Sequence, residues 1–555
     1  MQNKNGYAVH LCLSVFFISF LSCKNKTEVT NDLDLKRGEI VLCGQADNQF
    51  GRVSFETSCS PLVKDNFNLA MALLHSFEYD EAEKVFAKVI DADKNCAMAY
   101  WGVAMCNFHP LWSPPTQDEL EKGTTAVSIA QSLTQKSRRE TAYINAIAQF
   151  YTDWNTLDHH ARCLNFENAM ANMHADFPDD KEAAIFYALA LDGAAGPTDK
   201  TYSKQRKAGD ILNGLYPGQQ DHPGIIHYII HSYDSPELAE MALAAARKYA
   251  LIAPSSAHAL HMPSHIFTRL GLWDECIQSN LVSTDAAKCY AENSGMKGHF
   301  DEELHGLDYL VYAYLQKGDN VHALELCNYL KTIDTLHTIN FKEAYAFAAI
   351  PSRYVLENKM WKDAAELKVF PEDFPWQKFP WQKAIIHFTR LLGHANTGNH
   401  DAAIKELNTL ITLSDTLAHQ KDNYKAGQVQ IQIKAGEAWI LFREGRNKEA
   451  LSLMEDAAHM EESTQKSPVT PCEVIPATEL LADMLLEMGK SKEALAAYES
   501  DLKEHPNRFN GLNGAARACA AINDKKKETE YNMKLIAISD PSSKRPELKT
   551  TGNGQ

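Results

Sequence analysis

Residues 482–506 read ADMLLEMGKSKEALAAYESDLKEHP. Apolar residues recur here at helical spacing on both sides of Gly489, so the segment predicts a helix, a turn at Gly489, a second helix and a stop at Pro506. Each predicted helix carries a small residue at its centre, Ala482 in the first and Ala494 in the second. Small side chains at such positions let two helices approach closely. The segment therefore predicts a packed helix pair.

This helix pair resembles the tetratricopeptide repeat, a 34-residue unit with small residues at positions 8 and 20, an aromatic residue near position 24 and Pro at position 32. The same 34-residue numbering can be applied to the preceding and following helix pairs of the chain. Position 8 is then occupied by Ala70, Ala104, Ala188, Ser264, Ser352, Ala438, Ala482 and Ala516, with larger Ile230, Val311 and Leu391 in degenerate repeats. Position 20 is occupied by Ala82, Ala242, Ala323, Ala364, Ala403, Ala450 and Ala494. The resemblance implies an all-α protein, a right-handed α-solenoid of tetratricopeptide-like helix pairs in which each pair buries its apolar face against the next.

Length and composition agree with an extended array. A chain of 555 residues exceeds what one hydrophobic core normally serves, which leaves several domains or a repeat array. Hydrophobic residues make up 45% and charged residues 23%, so bulk disorder is excluded. The 55 Lys and Arg against 72 Asp and Glu give a net charge of −17 without any basic run, and no nucleic-acid partner is expected.

Residues 1–22 are predicted to be a secretory signal peptide. Lys4 provides the positive charge, an apolar stretch runs from Leu11 to Leu21, and the small Ser22 precedes Cys23. The Leu-Ser-Cys ending resembles the bacterial lipobox, which implies lipidation of Cys23. The alternative is an uncleaved anchor with a chance cysteine. We expect an exported bacterial lipoprotein of the cell envelope, anchored by lipid to the outer membrane.

The remaining chain divides into four predicted regions. These are a tether and irregular, β-leaning segment (23–60), an N-terminal repeat array (61–335), a C-terminal repeat array (336–537) and a polar, disordered tail (538–555). Cys43 and Cys59 bracket the β-leaning segment and form a candidate disulfide, since an exported protein meets an oxidising compartment. The other cysteines of the body are expected to be small buried apolar residues.

Several histidines keep the period of the repeat. His227 and His231 fall at positions 5 and 9 of one repeat, and His261 and His265 fall at the same positions of the next. In the repeat family, positions 2, 5, 9, 12 and 13 of the first helix line the concave groove, so the resemblance implies that these imidazoles face one channel. In the same register, six further residues fall at groove positions: His75, His109, His258, His305, Asp308 and Tyr312.

Imidazole pairs with this spacing suit a transition metal. Residues i and i+4 lie on one helix face, and packed helices are about 8–10 Å apart, a gap that imidazoles from two helices can bridge around an ion. Imidazole with a carboxylate suits Zn, Cu, Fe or Ni and suits Ca or Mg poorly. The predicted metal ligands are His227, His231, His258, His261, His265, His305 and Asp308. The alternatives are satisfied core histidines, or duplication of an ancestral repeat without a shared ligand.

Pro263 lies between two of these histidines and leaves the local structure open. A continuous helix would be kinked there, and the kink would free a backbone carbonyl beside the histidines. A helix starting at Met262 would instead leave His258 and His261 in the preceding loop.

Two longer segments extend the resemblance. HPGIIHYIIHSYD (222–234) and SSAHALHMPSHIFTRLGLW (255–273) are similar to segments of a group of exported bacterial tetratricopeptide-repeat lipoproteins. The resemblance implies architecture and compartment, and it brings no activity with it.

The function is left between two main hypotheses, because the sequence contains none of the usual catalytic signatures such as GxSxG, HExxH or a phosphate-binding loop. The first is an interaction scaffold whose concave groove holds a protein or peptide partner, with groove-lining residues His75, His109, Arg269, Tyr312, Arg353 and Glu479. The second is a metal-dependent enzyme or metal-handling protein that uses the histidine cluster. A weaker third is pH sensing by the clustered imidazoles, for which no bistable element is evident.

Overall fold

The computed structural model describes residues 33–41, 43, 49–111, 114–196, 199–465 and 467–551. The predicted signal peptide 1–22 and the predicted lipid site Cys23 lie outside the described residues. Described residues form helices and connecting loops without any strand, apart from one isolated bridge between His299 and Leu336. The predicted all-α solenoid is confirmed. None of the described helices combines the length and apolar character needed to cross a bilayer.

The helices follow one another with short connections. The first part of the chain forms α1 (Lys64–His75), α2 (Tyr79–Ala92), α3 (Ala97–Cys106), α4 (Gln117–Ser132), α5 (Arg138–Tyr151), α6 (His159–Asp176), α7 (Lys181–Gly193), α8 (Ser203–Leu215), α9 (Pro223–Ser232), α10 (Leu243–Ile252), α11 (Ala257–His261), α12 (Pro263–Leu270), α13 (Trp273–Ser294), α14 (Asp301–Gln316) and α15 (Asn320–Leu330). The second part forms α16 (Phe341–Glu357), α17 (Trp361–Ala365), α18 (Pro380–Thr397), α19 (His400–His419), α20 (Asn423–Arg443), α21 (Asn447–Glu462), α22 (Ala477–Glu487), α23 (Ser491–Glu504), α24 (Phe509–Ala521), α25 (Lys525–Ile538) and α26 (Pro546–Thr551).

Consecutive helices pack as antiparallel pairs, and the first helix of one pair also contacts the first helix of the next, as α1 contacts α3, α7 contacts α9 and α14 contacts α16. One hydrophobic core runs through both predicted arrays, from Leu33 to Met484. The predicted boundary at 335 falls in the connection between α15 and α16 and does not interrupt this core. The C-terminal part of the array contacts its middle part: Trp273 Nε1, at the start of α13, donates to Asn507 O, just before α24, at 2.9 Å.

The small residues predicted at the helix contacts lie where the register places them. All seven alanines at position 20 are 0% exposed. Aromatic rings pack directly over glycines of neighbouring helices: an added Cβ at Gly102 would lie 2.3 Å from Phe86 Cζ, and one at Gly514 would lie 2.2 Å from Tyr498 Cζ. The predicted close approach of helices is therefore confirmed.

The N-terminal segment is irregular, as predicted, and its described residues form no strand. It packs against the array, where Phe50 and Phe55 are buried. The predicted Cys43–Cys59 disulfide is wrong: Cys43 bonds to Cys289 of α13, and Cys59 bonds to Cys96. The reason is that the segment is held against two separate parts of the array and does not fold on itself. The remaining body cysteines are free and buried, as predicted: Cys106, Cys163, Cys276, Cys327, Cys472 and Cys519.

The C-terminal segment is ordered as far as α26, so the prediction of a disordered tail is wrong for the described part of it. Asp540 N donates to Lys317 O at 2.8 Å, and Ser543 Oγ donates to Gly318 O at 2.7 Å. Arg545 is 4% exposed and its guanidinium lies 4.4 Å over the ring of Phe509. Through these contacts the tail connects α24 with the turn between α14 and α15.

The helix contacts lead to a stability prediction. We expect Gly102→Ala to lower the free energy of unfolding by about 1–3 kcal/mol, because the methyl group overlaps a buried Phe86 ring. Gly427→Ala is the matched control: Gly427 is also helical but has open space around it, so alanine should raise stability by up to about 1 kcal/mol. Chemical denaturation measures both. Equal effects of the two substitutions would contradict the packing described here.

Candidate functional site

Four helices bring the six predicted metal-binding histidines together. α9 carries His227 and His231, and it starts at Pro223, whose fixed φ and missing N–H suit the first helical position. α11 carries His258 and His261, and α12 carries His265.

The break between α11 and α12 settles the question raised by Pro263. The helix is interrupted at Met262 and restarts at Pro263. His258 and His261 nevertheless lie in a helix of their own, which Ser256 caps by accepting from the Ala259 N–H. The sixth histidine, His305, comes from the first turns of α14.

The first histidine group consists of His227, His231 and His258, whose nearest ligand atoms lie within 4.8 Å of one another. Nδ1 of His227 lies 2.7 Å from the backbone carbonyl of His75. A carbonyl only accepts, so this Nδ1 carries the proton and Nε2 of the neutral ring presents a lone pair. That Nε2 lies 3.0 Å from Nε2 of His231.

The second group consists of His261, His265 and His305, again with ligand atoms within 4.8 Å. Nδ1 of His261 donates to Asn280 Oδ1 at 2.7 Å, and the Asn280 amide is oriented because its Nδ2 donates to Cys276 O at 2.8 Å. Nδ1 of His265 donates to the Asp234 carboxylate at 2.9 Å. Both Nδ1 protons are thus engaged, and the two Nε2 atoms face each other at 3.1 Å. With Nδ1 engaged in this way, the neutral form of each ring directs its Nε2 lone pair at the same point, where a shared cation would be stabilised.

A third group, His75, Glu182 and His222, is equally compact but differently organised. His222 Nδ1 accepts from the Ile225 N–H, so its Nε2–H donates to Glu182 Oε1 at 2.8 Å. His75 Nε2 lies 3.1 Å from Glu182 Oε2. Protons, not lone pairs, point at the shared carboxylate, so this group is a hydrogen-bonded network. Sequence reasoning missed Glu182, although the register that puts Ala188 at position 8 puts Glu182 at groove position 2.

The electrostatics favour the neutral form of four of the six triad rings. Burial first, and then the neighbouring imidazoles, hold the pKa values of four rings well below their ordinary value: His227, His231, His261 and His305. Burial opposes the ionisation of Asp234, but Arg269 and His265 outweigh it and leave the pKa of this carboxyl well below its usual range. Neutral imidazole is the form that binds a metal.

Asp308, which was predicted to be a ligand, lies outside all three groups. Its carboxylate accepts from Arg353 Nε at 3.1 Å, and both side chains are buried. A buried guanidinium needs a counter-charge, and Asp308 is the residue that supplies it. The carboxylate that hydrogen-bonds to a triad ring is Asp234, two residues after α9. Glu302 is also close, with Oε2 3.9 Å from Nδ1 of His258.

The predicted groove residues are not open to a peptide. Residues 467–476 fill this part of the concave face, and the guanidinium groups bind their backbone: Arg269 Nη1 donates to Pro471 O at 2.8 Å, and Arg353 Nη2 donates to Cys472 O at 2.8 Å. Glu479 is paired with Arg508, whose Nη1 donates to the hydroxyl of Tyr312. The chain itself thus provides partners for Tyr312, Arg353 and Glu479, whereas Arg269 keeps Nη2 without a partner among the described residues. That these residues anchor a partner stays a prediction.

His75 and His109 also have structural partners. His75 belongs to the Glu182 network described above. His109 lies at a left-handed backbone position (φ 43°), and its Nε2 lies 3.1 Å from Glu119 Oε1. Neither ring joins the two histidine triads.

A cavity of about 540 Å³ adjoins the first triad. His231, Asp234 and Arg269 line it, together with residues of α8 and of the segment 464–473. His231 is thus shared between the triad and the cavity. A molecule bound in the cavity reaches the histidine array from this side.

Comparison with known proteins supports the architecture. The family model described as Tetratricopeptide repeat matches residues 66–96, which include most of α1 and all of α2. No curated protein gives a significant match.

Solved structures with similarity include the human IFIT1 dimer with m7Gppp-AAAA, at 10% identity, covering 86% of this chain and 99% of that one, with a TM-score of 0.34. The APC/C hetero-tetramer Cut9-Hcn1 is 13% identical, covers 88% of this chain and 95% of that one, and has a TM-score of 0.28. The P58(IPK) TPR domain is 14% identical, covers 75% and 98%, and has a TM-score of 0.19. Similarity this low does not indicate a shared function. Residues 66–96 are thus similar to the tetratricopeptide repeat, and the stack of helix pairs that continues from α1 and α2 is an α-solenoid of the same kind.

Proposed function

We propose that this protein is a transition-metal protein in which the two histidine triads each hold an ion beside the cavity. The observation that carries the proposal is the convergence of Nε2 lone pairs in the second triad, where both Nδ1 protons are committed to other acceptors. Two nitrogens bound to one tetrahedral ion at about 2.0–2.1 Å are about 3.3 Å apart. The Nε2 atoms of His261 and His265 are 3.1 Å apart, which fits.

The surroundings of the rings support the same proposal. Metal-binding histidines normally donate their second N–H to a carboxylate or carbonyl, which fixes the tautomer and the ring orientation. His75 O does this for His227, Asn280 for His261 and Asp234 for His265. All-imidazole donors favour zinc, copper or iron.

Three protein ligands leave a further coordination position open, as in catalytic sites. A bound ion would supply a Lewis acid, or a water of lowered pKa, next to the cavity. His231 would place this chemistry at the cavity wall, and Asp234 would keep Nδ1 of His265 protonated. The proposal thus includes a metal-dependent reaction on a small molecule.

A second candidate function is protein interaction, for which repeat arrays of this kind provide extended concave surfaces. The segment 467–476 occupies one stretch of that surface, so a partner would have to enter the neighbouring cavity. The size of the cavity admits a few residues of an extended chain terminus.

We further propose that the protein is exported and anchored by a lipid on Cys23. The disulfides Cys43–Cys289 and Cys59–Cys96 support an oxidising compartment, because such bonds are rare in reducing cytosol.

The metal proposal predicts metal content by variant. The purified protein should contain a transition metal, and a variant with one histidine of each close pair removed, His231→Ala with His265→Ala, should contain none. His222→Gln is the control: it disturbs the Glu182 network and should keep the metal. Elemental analysis measures the metal content of each variant, and only variants that retain the helical circular dichroism of the parent protein are compared. A metal-free parent after growth with zinc, copper and iron would contradict the proposal.

The neutral histidines predict a pH effect on the chelator-treated protein. At pH values near and below 6.5, the ordinary pKa of imidazole, histidines bind protons in the unfolded chain, whereas the buried rings of the folded protein stay neutral. The free energy of unfolding should therefore fall as the pH is lowered from about 7 to about 5, by up to about 1.4 kcal/mol per pH unit for each such ring. His227→Leu should reduce this slope, whereas replacement of the exposed His160 by Leu should not. A slope that is the same in both variants would argue against buried neutral rings.

The export proposal predicts the effect of Cys23→Ala. Without the thiol there is no site for the lipid, so the protein should move from the membrane fraction to the soluble envelope fraction and lose incorporation of labelled palmitate. Cys12→Ala, within the predicted signal peptide, is the control and should leave both unchanged. Continued palmitate labelling of the Cys23 variant would refute lipidation at this residue.

A further inference from the structure

The cavity beside the first triad is lined by buried polar atoms that lack hydrogen-bond partners among the described residues. They are His159 Nδ1, Asp192 Oδ1, Gln205 Oε1, Ser235 Oγ, Arg269 Nη2 and Asp501 Oδ2. Buried polar groups are nearly always paired, and an unpaired one costs about 1–3 kcal/mol. Their concentration around one space indicates that a bound molecule supplies the partners.

These atoms are held in place by their other bonds. Arg269 is 4% exposed and is fixed by Asp234 and by Pro471 O, which leaves Nη2 without a partner among the described residues. Asp501 is 1% exposed, and its other oxygen accepts from His505 Nδ1 at 2.9 Å. A volume of about 540 Å³ is far larger than one water molecule needs and lies within the range of small-molecule sites. The cavity is thus preformed for a ligand.

The lining determines the chemistry of that ligand. Burial raises the pKa values of Asp192 and Glu461 well above their usual range. The other acidic side chains still outnumber the basic ones: Asp234, Asp422, Glu462, Glu473, Asp501 and Glu504 stand against Lys200, Arg269, Lys425 and His505. The protonated form of Asp192 also offers a proton to a ligand oxygen. Aromatic rings complete the wall, at Tyr202, Phe341, Trp381 and Tyr424. Aromatic faces and carboxylates together attract organic cations.

The unpaired atoms refine this picture. Asp501 Oδ2 and Gln205 Oε1 require hydrogen-bond donors, whereas Arg269 Nη2 requires an acceptor oxygen. We propose that the cavity binds a small molecule that carries an ammonium group among hydroxyl groups, of the amino-sugar class. The ammonium lies on the carboxylate side, and a ligand oxygen accepts from Arg269. This inference goes beyond the metal proposal and does not require an ion.

Calorimetric titration of the full chain with glucosamine, glucose and glucuronate tests the inference, because the three probes share size and ring and differ in charge. Glucosamine should bind at least about tenfold more tightly than glucose, and glucuronate should bind most weakly. Gln205→Leu should weaken glucosamine binding about tenfold. Gln432→Leu is the matched control, since Gln432 Oε1 is also buried and unpaired among the described residues but lies outside this cavity; it should leave the affinity unchanged.

The titrations are performed on both chelator-treated and metal-loaded protein. Equal binding of the three sugars, preference for glucuronate, or no saturation by any of them would overturn the inference. Glucosamine binding by protein that never takes up metal would support the inference while defeating the metal proposal. Equal losses in the Gln205 and Gln432 variants would show that the effect is not local to the cavity and would also count against it.

Discussion

The hydrogen bond from each imidazole Nδ1 to a buried acceptor decides what the histidine array can do. Where Nδ1 donates to a carbonyl, amide or carboxylate oxygen, as in His227, His261 and His265, the lone pair of Nε2 points into the array. Where Nε2 donates instead, as in His222, the ring serves a structural carboxylate. Proximity alone does not separate the two cases, since all three groups are equally compact. The two cases are distinguished by which ring nitrogen carries the proton, and the hydrogen-bond partners of each ring determine this.

The repeat fold supplies the rest of the arrangement. Stacked first helices place equivalent positions side by side, so two HxxxH pairs one repeat apart become two adjacent pairs in space. Met262, between α11 and α12, keeps right-handed helical dihedrals (φ −51°, ψ −36°), so His261 and His265 stay one helical turn apart. The small residues at the helix contacts hold the helices close enough for these rings to meet. Stability and site therefore depend on the same spacing.

Much of the fold and of the histidine arrangement could be predicted from the sequence, because features that repeat every 34 residues can be recognised from residue spacing alone. The helix pairs, the buried alanines and the juxtaposition of the histidines on α9, α11, α12 and α14 all follow from the register. Features that depend on non-periodic contacts could not be predicted. Asp308 is neutralised by Arg353 from a neighbouring helix, and residues 467–476 fold back onto the concave face. The disulfide partners were missed for the same reason, since Cys43 and Cys289 are 246 residues apart. Asp234, by contrast, falls at groove position 12 of the repeat that starts at Pro223.

The most direct measurement is anomalous X-ray diffraction from crystals of the metal-loaded protein, recorded on both sides of the absorption edge of the metal. We expect one anomalous peak within about 2.0–2.3 Å of Nε2 of both His261 and His265, and a second beside His227 and His231. No peak is expected between His75, Glu182 and His222, where protons occupy the shared space. A peak in that third group, or none at the two triads, would contradict the assignment of the lone pairs.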